Sequence, residues 1–212
     1  MITTVTNYYK YALQSGMINL GTNTVKALLM RSGFVFNKRL HRKLINLQTN
    51  TGAIALVWAA LDKSVSRGSG SFITDGFVVG NQCTSNDASN PGPFTIASVT
   101  ALKITFNEAV VNSSATKTLT SNDELATGNG YTQGAQTTGT ISVTEDNVGD
   151  KSDATFPPIT WTPSGGAIGP TTGILFYDST AVVVIMFSQH ETEVTYPLGQ
   201  DADYSGGTFR DL

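Results

Sequence analysis

Few residues of this sequence are suited to metal or redox chemistry. Among 212 residues there is one cysteine, Cys83, and there are two histidines, His41 and His190. One cysteine excludes an internal disulfide and a zinc site built from several cysteines, because each needs at least two thiols. Neither histidine lies beside a nucleophile motif such as G-x-S-x-G. The sequence therefore predicts no catalytic residue, no metal and no cofactor, and a protein that is not an enzyme.

Long hydrophobic runs are also missing. No apolar stretch approaches the roughly 18 residues that a membrane-spanning helix needs. Residues 1–16, MITTVTNYYKYALQSG, are too polar for the apolar region of a signal peptide. We therefore expect neither a membrane protein nor a secreted one.

Charged residues make up only 14 % of the chain, and their signs are unevenly placed. Residues 1–49 contain seven Lys or Arg and no acid, residues 50–119 contain four of each sign, and residues 120–212 contain two basic and twelve acidic residues. Segment charges of +7, 0 and −10 predict an interaction surface or a match between the two ends of the chain. We expect partner contacts at basic and acidic residues of the two charged segments. They are Arg31, Lys38, Arg39, Arg42 and Lys43, and Glu191, Glu193, Asp201 and Asp203.

The basic run Lys38–Lys43 has two interpretations. Nucleic acid is one partner for such a run, but an isoelectric point near 5.3, a low charge density and the lack of a nucleic-acid-binding motif count against it. A protein partner, or neutralisation by the acidic C-terminal half, is favoured. The cations around His41 favour its neutral imidazole, whereas Glu191 and Glu193 beside His190 favour a protonated ring.

Thr, Ser and Gly are abundant, with 30, 18 and 21 residues, and this mixture suits turn-rich β structure. One short helix is predicted over Val5–Leu13, where apolar residues recur at helical spacing, and Gly16 can end it. Short strands bounded by turn residues are predicted at residues 24–30, 53–58, 65–67, 72–73, 77–79, 94–99, 102–106, 138–145, 173–177 and 181–187. This pattern predicts an all-β fold with a β-sandwich or jelly-roll body.

The predicted organisation is nested. Residues 1–49 and 120–212, which carry opposite charges, would form the sandwich body, and residues 50–119 would form a small inserted β module. An insertion whose ends lie close together adds little loop-closure entropy.

Two further patterns each allow two interpretations. Glu145–Asp153 offers oxygen ligands around a glycine but lacks EF-hand spacing, and a hairpin turn needs the same residue types, so a turn is favoured. Trp58 and Trp161, with the tyrosines, form either a carbohydrate platform or part of the core, and core packing is the commoner fate.

The order of several motifs resembles that of small virion structural proteins of tailed bacteriophages. The matching stretches are ALQSGMINLGTNTVKALLMR (12–31), LTSNDELATGNGYTQGAQ (119–136), VTEDNVGD (143–150), ITWTPSGGAIGP (159–170), GILFYD (173–178) and GGTF (206–209). The central segment is similar to another phage-associated β module, through FITDGFVVGNQC (72–83) and GPFTIASVTALKITF (92–106).

This resemblance implies a structural role in the phage particle, as a capsid decoration protein that binds the capsid exterior and stabilises it. The expected partners are the major capsid protein or other virion proteins, and the chain is expected to form a homo-oligomer, with a trimer favoured. Its location would be the virion, after assembly in the host cytoplasm. One alternative is a tail, collar or fibre component that contacts host glycans through Trp58, Trp161 or Tyr131. A packaged hydrolase is a second alternative, which the shortage of histidines disfavours.

Overall fold

The structure is a computed structural model that describes residues 2–134, 136–146 and 151–210. Within these ranges the chain forms antiparallel β-strands with two short α-helices, which confirms the predicted all-β class. None of the described helices has the length and hydrophobicity to cross a bilayer. The elements, in chain order, are β1 (Ile2–Val5), α1 (Asn7–Gln14), β2 (Val25–Arg31), a 3₁₀ turn (Leu44–Asn46), β3 (Gln48–Asn50), β4 (Ile54–Ala59), β5 (Ser64–Arg67), α2 (Phe72–Asp75), β6 (Gln82–Ser85), β7 (Phe94–Val99), β8 (Lys103–Phe106), β9 (Ser113–Lys117), β10 (Leu119–Asn122), β11 (Ser142–Asp146), β12 (Lys151–Phe156), β13 (Ile159–Trp161), β14 (Ile168–Asp178), β15 (Val183–Tyr196), β16 (Ala202–Tyr204) and β17 (Gly207–Arg210).

The chain divides into two compact units. The first unit is Met1–Arg42 with Glu124–Leu212, and the second unit is Lys43–Asp123. The second unit is longer at both ends than the predicted module of residues 50–119. Strand β3 pairs with β10, so the residues around both strands belong to the second unit.

Three sheets build the first unit, in the strand orders β1-β15-β14-β2, β11-β12-β17 and β13-β16. Aromatic rings join them in one core. Phe176 of β14 lies 5.6 Å from Phe156 of β12 and 4.8 Å from Tyr204 of β16, measured between ring centroids. The sheets therefore share a core in the manner of a β-sandwich. A jelly-roll form of this body stays a prediction.

The predicted hairpin around Asp178 is present, with longer strands than the apolar runs indicate. One Asp178 carboxylate oxygen accepts the backbone N–H groups of Thr180 and Ala181, at 2.8 and 2.7 Å. An aspartate that bonds the backbone two and three residues on fixes a tight turn. Strand β15 continues well past Phe187, to Tyr196. The apolar pattern did not predict this part of the strand, because most of its residues are polar and exposed.

The second unit contains one antiparallel sheet, in the order β3-β10-β6-β7-β8-β5-β4-β9. Trp58 of β4, Phe94 of β7 and Phe106 of β8 contact one another, with ring centroids 5.1 to 5.7 Å apart. Strands β4 and β7 are separated by two other strands, so the sheet must curve for these side chains to share a core.

Two strands predicted in the second unit are wrong. Phe72–Ile73 begins helix α2, and Phe77–Val79 lies in no strand. The Ser71 hydroxyl accepts a backbone N–H of the first helical turn, and Gly76, with φ +104°, ends the helix. Both phenylalanines are buried, but the cap and the glycine decide the backbone conformation.

Candidate partner-binding groove

Helix α1 begins at a threonine that is also bonded to the main sheet. The Thr6 hydroxyl accepts the backbone N–H of Tyr9 at 3.1 Å and donates to the carbonyl oxygen of Val184 at 2.7 Å. Tyr9 and Ala12 are fully buried on one side of the helix. The cap and these two side chains therefore fix α1 on the sheet.

One flank of α1 carries two tyrosines that line the groove described below. Tyr8 and Tyr11 are three residues apart, so they are neighbours on the helix surface, with ring centroids at 5.9 Å. Tyr11 is 58 % exposed, and Asn7 is also exposed. Tyr11 thus presents its ring and hydroxyl group to the solvent, whereas Tyr8 packs partly against the core.

The basic run predicted from the sequence forms a tight turn organised by Asn37. The Asn37 side-chain oxygen accepts the backbone N–H of Arg39 at 2.9 Å, and its carbonyl oxygen accepts that of His41 at 2.9 Å. Its own N–H donates to Nδ1 of His41 at 3.0 Å. This turn leaves Lys38 and Arg39 exposed.

An aromatic cluster holds this turn in place. The buried ring of His41 lies 5.1 Å from Phe34 and 5.7 Å from Phe36. Both phenylalanines pack against Phe187 of β15, at 5.5 and 5.1 Å. His41 is thus a packing residue that accepts a backbone hydrogen bond.

Helix α1 and the basic turn enclose a groove of about 420 Å³. In the described part of the chain, the side chains of Lys38, Arg39 and Arg42 form no salt bridge, although Arg42 Nε donates to the Arg39 carbonyl oxygen at 2.7 Å. Three cations without an acidic partner, beside tyrosine hydroxyls, suit the binding of carboxylates. The groove is lined by Asn7, Tyr8, Tyr11, Lys38, Arg39 and Arg42.

The other predicted basic residues, Arg31 and Lys43, do not line this groove. Lys43 begins the second unit. Arg31 ends β2 beside an acidic side chain, since the Glu193 carboxylate accepts the Gly33 N–H at 2.6 Å and the Ser32 hydroxyl at 2.7 Å. These two hydrogen bonds, with the charge of Arg31, hold the pKa of Glu193 below its ordinary value. Part of the predicted match between basic and acidic segments is therefore made within one unit.

The remaining predicted acidic residues, Glu191, Asp201 and Asp203, are exposed. Other acids of the C-terminal segment are not available to a partner. Glu124 and Asp178 are buried, at 4 % and 0 % exposure, and accept hydrogen bonds. The formal charge of −10 for residues 120–212 is therefore larger in magnitude than the negative charge that this segment exposes to the solvent.

The aromatic residues considered for glycan binding are core residues. Trp58, Trp161 and Tyr131 are only 2 %, 4 % and 2 % exposed. The Tyr131 hydroxyl donates to Glu124 Oε1 at 2.6 Å. The prediction of core packing is confirmed, and a carbohydrate platform made of these three residues is wrong.

The predicted titration of His190 is also wrong. Burial lowers the pKa of His190, and its Nε2 lies 3.4 Å from the Tyr196 hydroxyl. Neighbours at odd spacing along a strand point to opposite faces, and Glu191 and Glu193 are exposed while His190 is buried. The carboxylates therefore face away from the ring, and burial dominates.

Sequence reasoning missed the helix wall of the groove. The spacing placed Tyr8 among the apolar residues of the helix predicted over Val5–Leu13, and it indicated no role for Asn7 or Tyr11. An aromatic residue outside the buried stripe of a short helix, as Tyr11 is, was the available signal.

The acidic stretch Glu145–Asp153 is only partly described. Its flanks pair as antiparallel strands, with Asp146 opposite Lys151, as a hairpin requires, and the turn between them lies outside the described residues. Within the described ranges no group of three or more His, Cys, Asp or Glu side chains is placed to hold a metal ion.

Comparison with protein-family models, with curated proteins and with solved structures found no match to this chain. A functional proposal therefore rests on the residues of the chain, on their geometry and on the motif resemblance.

Proposed function

We propose that this chain is a structural, non-enzymatic component of a tailed-phage virion, which attaches to the capsid exterior as a decoration protein. The groove between α1 and the basic turn is the observation that carries this proposal. Its cations Lys38, Arg39 and Arg42 are exposed and are held on β15 by buried contacts. A rigid cationic surface that is open to solvent suits adhesion to an acidic protein surface.

The mechanism is adhesion by many weak contacts. Each copy buries a modest interface, and many copies on one lattice hold one another in place through avidity. The partners are the major capsid protein or other virion proteins. Copies associate as a homo-oligomer, with a trimer on a local three-fold axis as the favoured arrangement.

The motif resemblance is the basis for proposing a tailed-phage particle, and the groove is the basis for proposing a surface of attachment. A position on the tail, collar or fibre is the alternative within the same class. Glycan contact through Trp58, Trp161 or Tyr131 does not support that alternative, because these side chains are buried.

Electron cryo-microscopy of the phage particle that contains this chain tests the proposal. Density for both units on the outer capsid lattice is the expected result. Density confined to the tail or neck contradicts the decoration role, and absence of the chain from purified particles contradicts the virion role.

A binding assay tests the surface. Wild-type chain and the variant K38E/R39E are each added to capsids stripped of the protein, and bound chain is measured by co-sedimentation. We expect the variant to bind more weakly. Lys10→Glu is the control, because Lys10 is exposed on the same helix but does not line the groove. Equal losses per reversed charge in both variants would mean that attachment responds only to net charge.

A further inference from the structure

The first unit carries a surface whose chemistry complements its own groove. Asp201 and Asp203 flank Ala202 of β16, which is buried at 1 % exposure. Asp203 lies in this strand and Asp201 directly precedes it, and both side chains are exposed. At a rise of roughly 3.4 Å per residue their Cα atoms are about 7 Å apart. We refer to Asp201 and Asp203 as the acidic ridge.

The groove matches the acidic ridge in charge and in size. Lys38, Arg39 and Arg42 offer three positive charges, against two negative charges on the ridge. Its volume of about 420 Å³ lies within the range of pockets that take a whole small molecule. The groove is therefore large enough in volume for two aspartate side chains.

Within one chain the two surfaces do not satisfy each other. In the described ranges no salt bridge joins Asp201 or Asp203 to a groove cation. The region around Arg31 behaves differently, since Glu193 on the same unit already bonds the turn that follows Arg31. Positive and negative side chains that form no salt bridge with each other within one chain can form salt bridges with a second copy of that chain.

We propose that the groove of one copy receives the acidic ridge of a second copy of this chain. The assignment rests on the proposed function of an assembling structural protein. It makes a second copy, in place of the capsid surface, the direct occupant of the groove, and capsid binding then depends on the groove through the avidity of the oligomer. Because groove and ridge are different surfaces, the contact is heterologous. Two reciprocal contacts close a two-fold dimer, and repetition of single contacts forms a larger ring where the rotation closes and an open filament where it does not.

Sedimentation velocity of the full chain, with complementary charge reversals, tests the contact. Lys38→Glu with Arg39→Glu reverses the groove, and Asp201→Lys with Asp203→Lys reverses the ridge. None of these four side chains forms a hydrogen bond among the described residues, so both variants should fold, which circular dichroism verifies. We expect each variant to raise the dissociation constant of self-association about tenfold or more.

Mixing the two variants provides the decisive measurement. The reversed groove of one faces the reversed ridge of the other, and the two unchanged surfaces also match, so mixed complexes should form where neither variant associates by itself. Added salt should weaken the wild-type complex, since exposed charges are screened. Lys10→Glu and Glu191→Lys are the controls, as exposed residues of the first unit outside both surfaces, and they should associate like the wild type.

Several results would overturn the proposal. A wild-type chain that sediments as a monomer at every attainable concentration is one, and failure of the mixture to associate is another. If K38E/R39E abolishes binding of a DNA duplex and leaves the oligomeric state unchanged, the groove binds nucleic acid instead. The capsid co-sedimentation assay separates the two proposals, because a monomeric chain that still binds capsids contradicts only the contact between copies.

Discussion

The backbone N–H of Val184 donates to the carbonyl oxygen of Arg42 at 2.9 Å. The carbonyl oxygen of the same valine accepts the Thr6 hydroxyl at 2.7 Å. One residue of β15 thus bonds the end of the basic turn and the start of helix α1. The geometry of the groove therefore depends on a strand that contributes no side chain to its lining.

Removal of the helix cap should loosen one wall of the groove. Thr6→Ala removes the acceptor for the Tyr9 N–H and the donor to Val184, and loss of an N-cap costs about 1–2 kcal/mol. Urea unfolding of the full chain measures this change. Thr6→Ser keeps the hydroxyl and should lose less than half as much. Equal losses would show that the threonine methyl group, and not the hydroxyl, stabilises the helix.

Deletion of the Tyr131 hydroxyl should destabilise the first unit. This hydroxyl donates to the buried Glu124 carboxylate and accepts the Leu29 N–H at 3.0 Å. Burial raises the pKa of Tyr131 well above its ordinary range, so the group stays a donor. Tyr131→Phe should lower the free energy of unfolding by about 3 kcal/mol, because it removes the acceptor of the buried Leu29 N–H and one of the donors to the buried Glu124 carboxylate.

The control for this substitution is Tyr204→Phe. Its hydroxyl forms no hydrogen bond among the described residues, so its removal should change stability by less than about 1 kcal/mol. Similar losses at both positions in urea unfolding would contradict the role given to the Tyr131–Glu124 hydrogen bond.

The stabilising contribution of Glu193 should depend on pH. Its pKa is lowered in the folded chain by the Gly33 N–H, the Ser32 hydroxyl and the charge of Arg31. A lowered folded pKa stabilises the fold above the unfolded pKa, and this contribution is lost as pH falls through the folded value. Glu193→Gln should therefore be less stable than wild type at neutral pH, and the difference should vanish in acid.

Thermal unfolding across the acid range measures this effect. Glu191→Gln is the matched control, since Glu191 lies on the same strand and its side chain forms no hydrogen bond in the described part of the chain. Its difference from wild type should be small and flat with pH. A constant difference for Glu193→Gln down to the lowest pH would contradict the argument.

Gly76 should not tolerate a side chain. Its φ is +104°, and an added Cβ would meet the Ile45 carbonyl oxygen at 2.4 Å. Gly76→Ala should destabilise the second unit by at least about 2 kcal/mol, from backbone strain and displacement of that carbonyl. Gly52→Ala, at φ +65° with open space, should lose only about 1 kcal/mol. Calorimetry of both variants separates steric conflict from backbone strain.

Local patterns predicted the elements whose partners are near in sequence. The helix and the hairpin around Asp178 follow from spacing and turn chemistry, although Thr6 moves the start of the helix from Val5 to Asn7. Strand β1 was missed, since its four residues form a strand only by pairing with β15, more than 180 residues away.

The candidate groove was likewise predictable only in the part whose residues are close together in the sequence. Counting the charges along the sequence indicated Lys38, Arg39 and Arg42, because a run of basic residues can be recognised in the sequence itself. It did not show that Arg31 and Lys43 are not part of the groove lining, nor that Tyr11 is part of it. Those facts depend on how β15 bonds two segments distant in sequence, and no local pattern records such a contact.

The chain enters the second unit near strand β3 and leaves it near strand β10, and these two strands pair with each other. Gln48 lies opposite Asn122, and the N–H of Asp123 donates to the carbonyl oxygen of Leu47 at 3.0 Å. A short peptide linker could therefore join residues 47 and 123 in place of residues 48–122, which are most of the unit. Such a cassette can be gained, lost or replaced by recombination without disturbing the chain on either side, so the two units are free to have separate evolutionary histories.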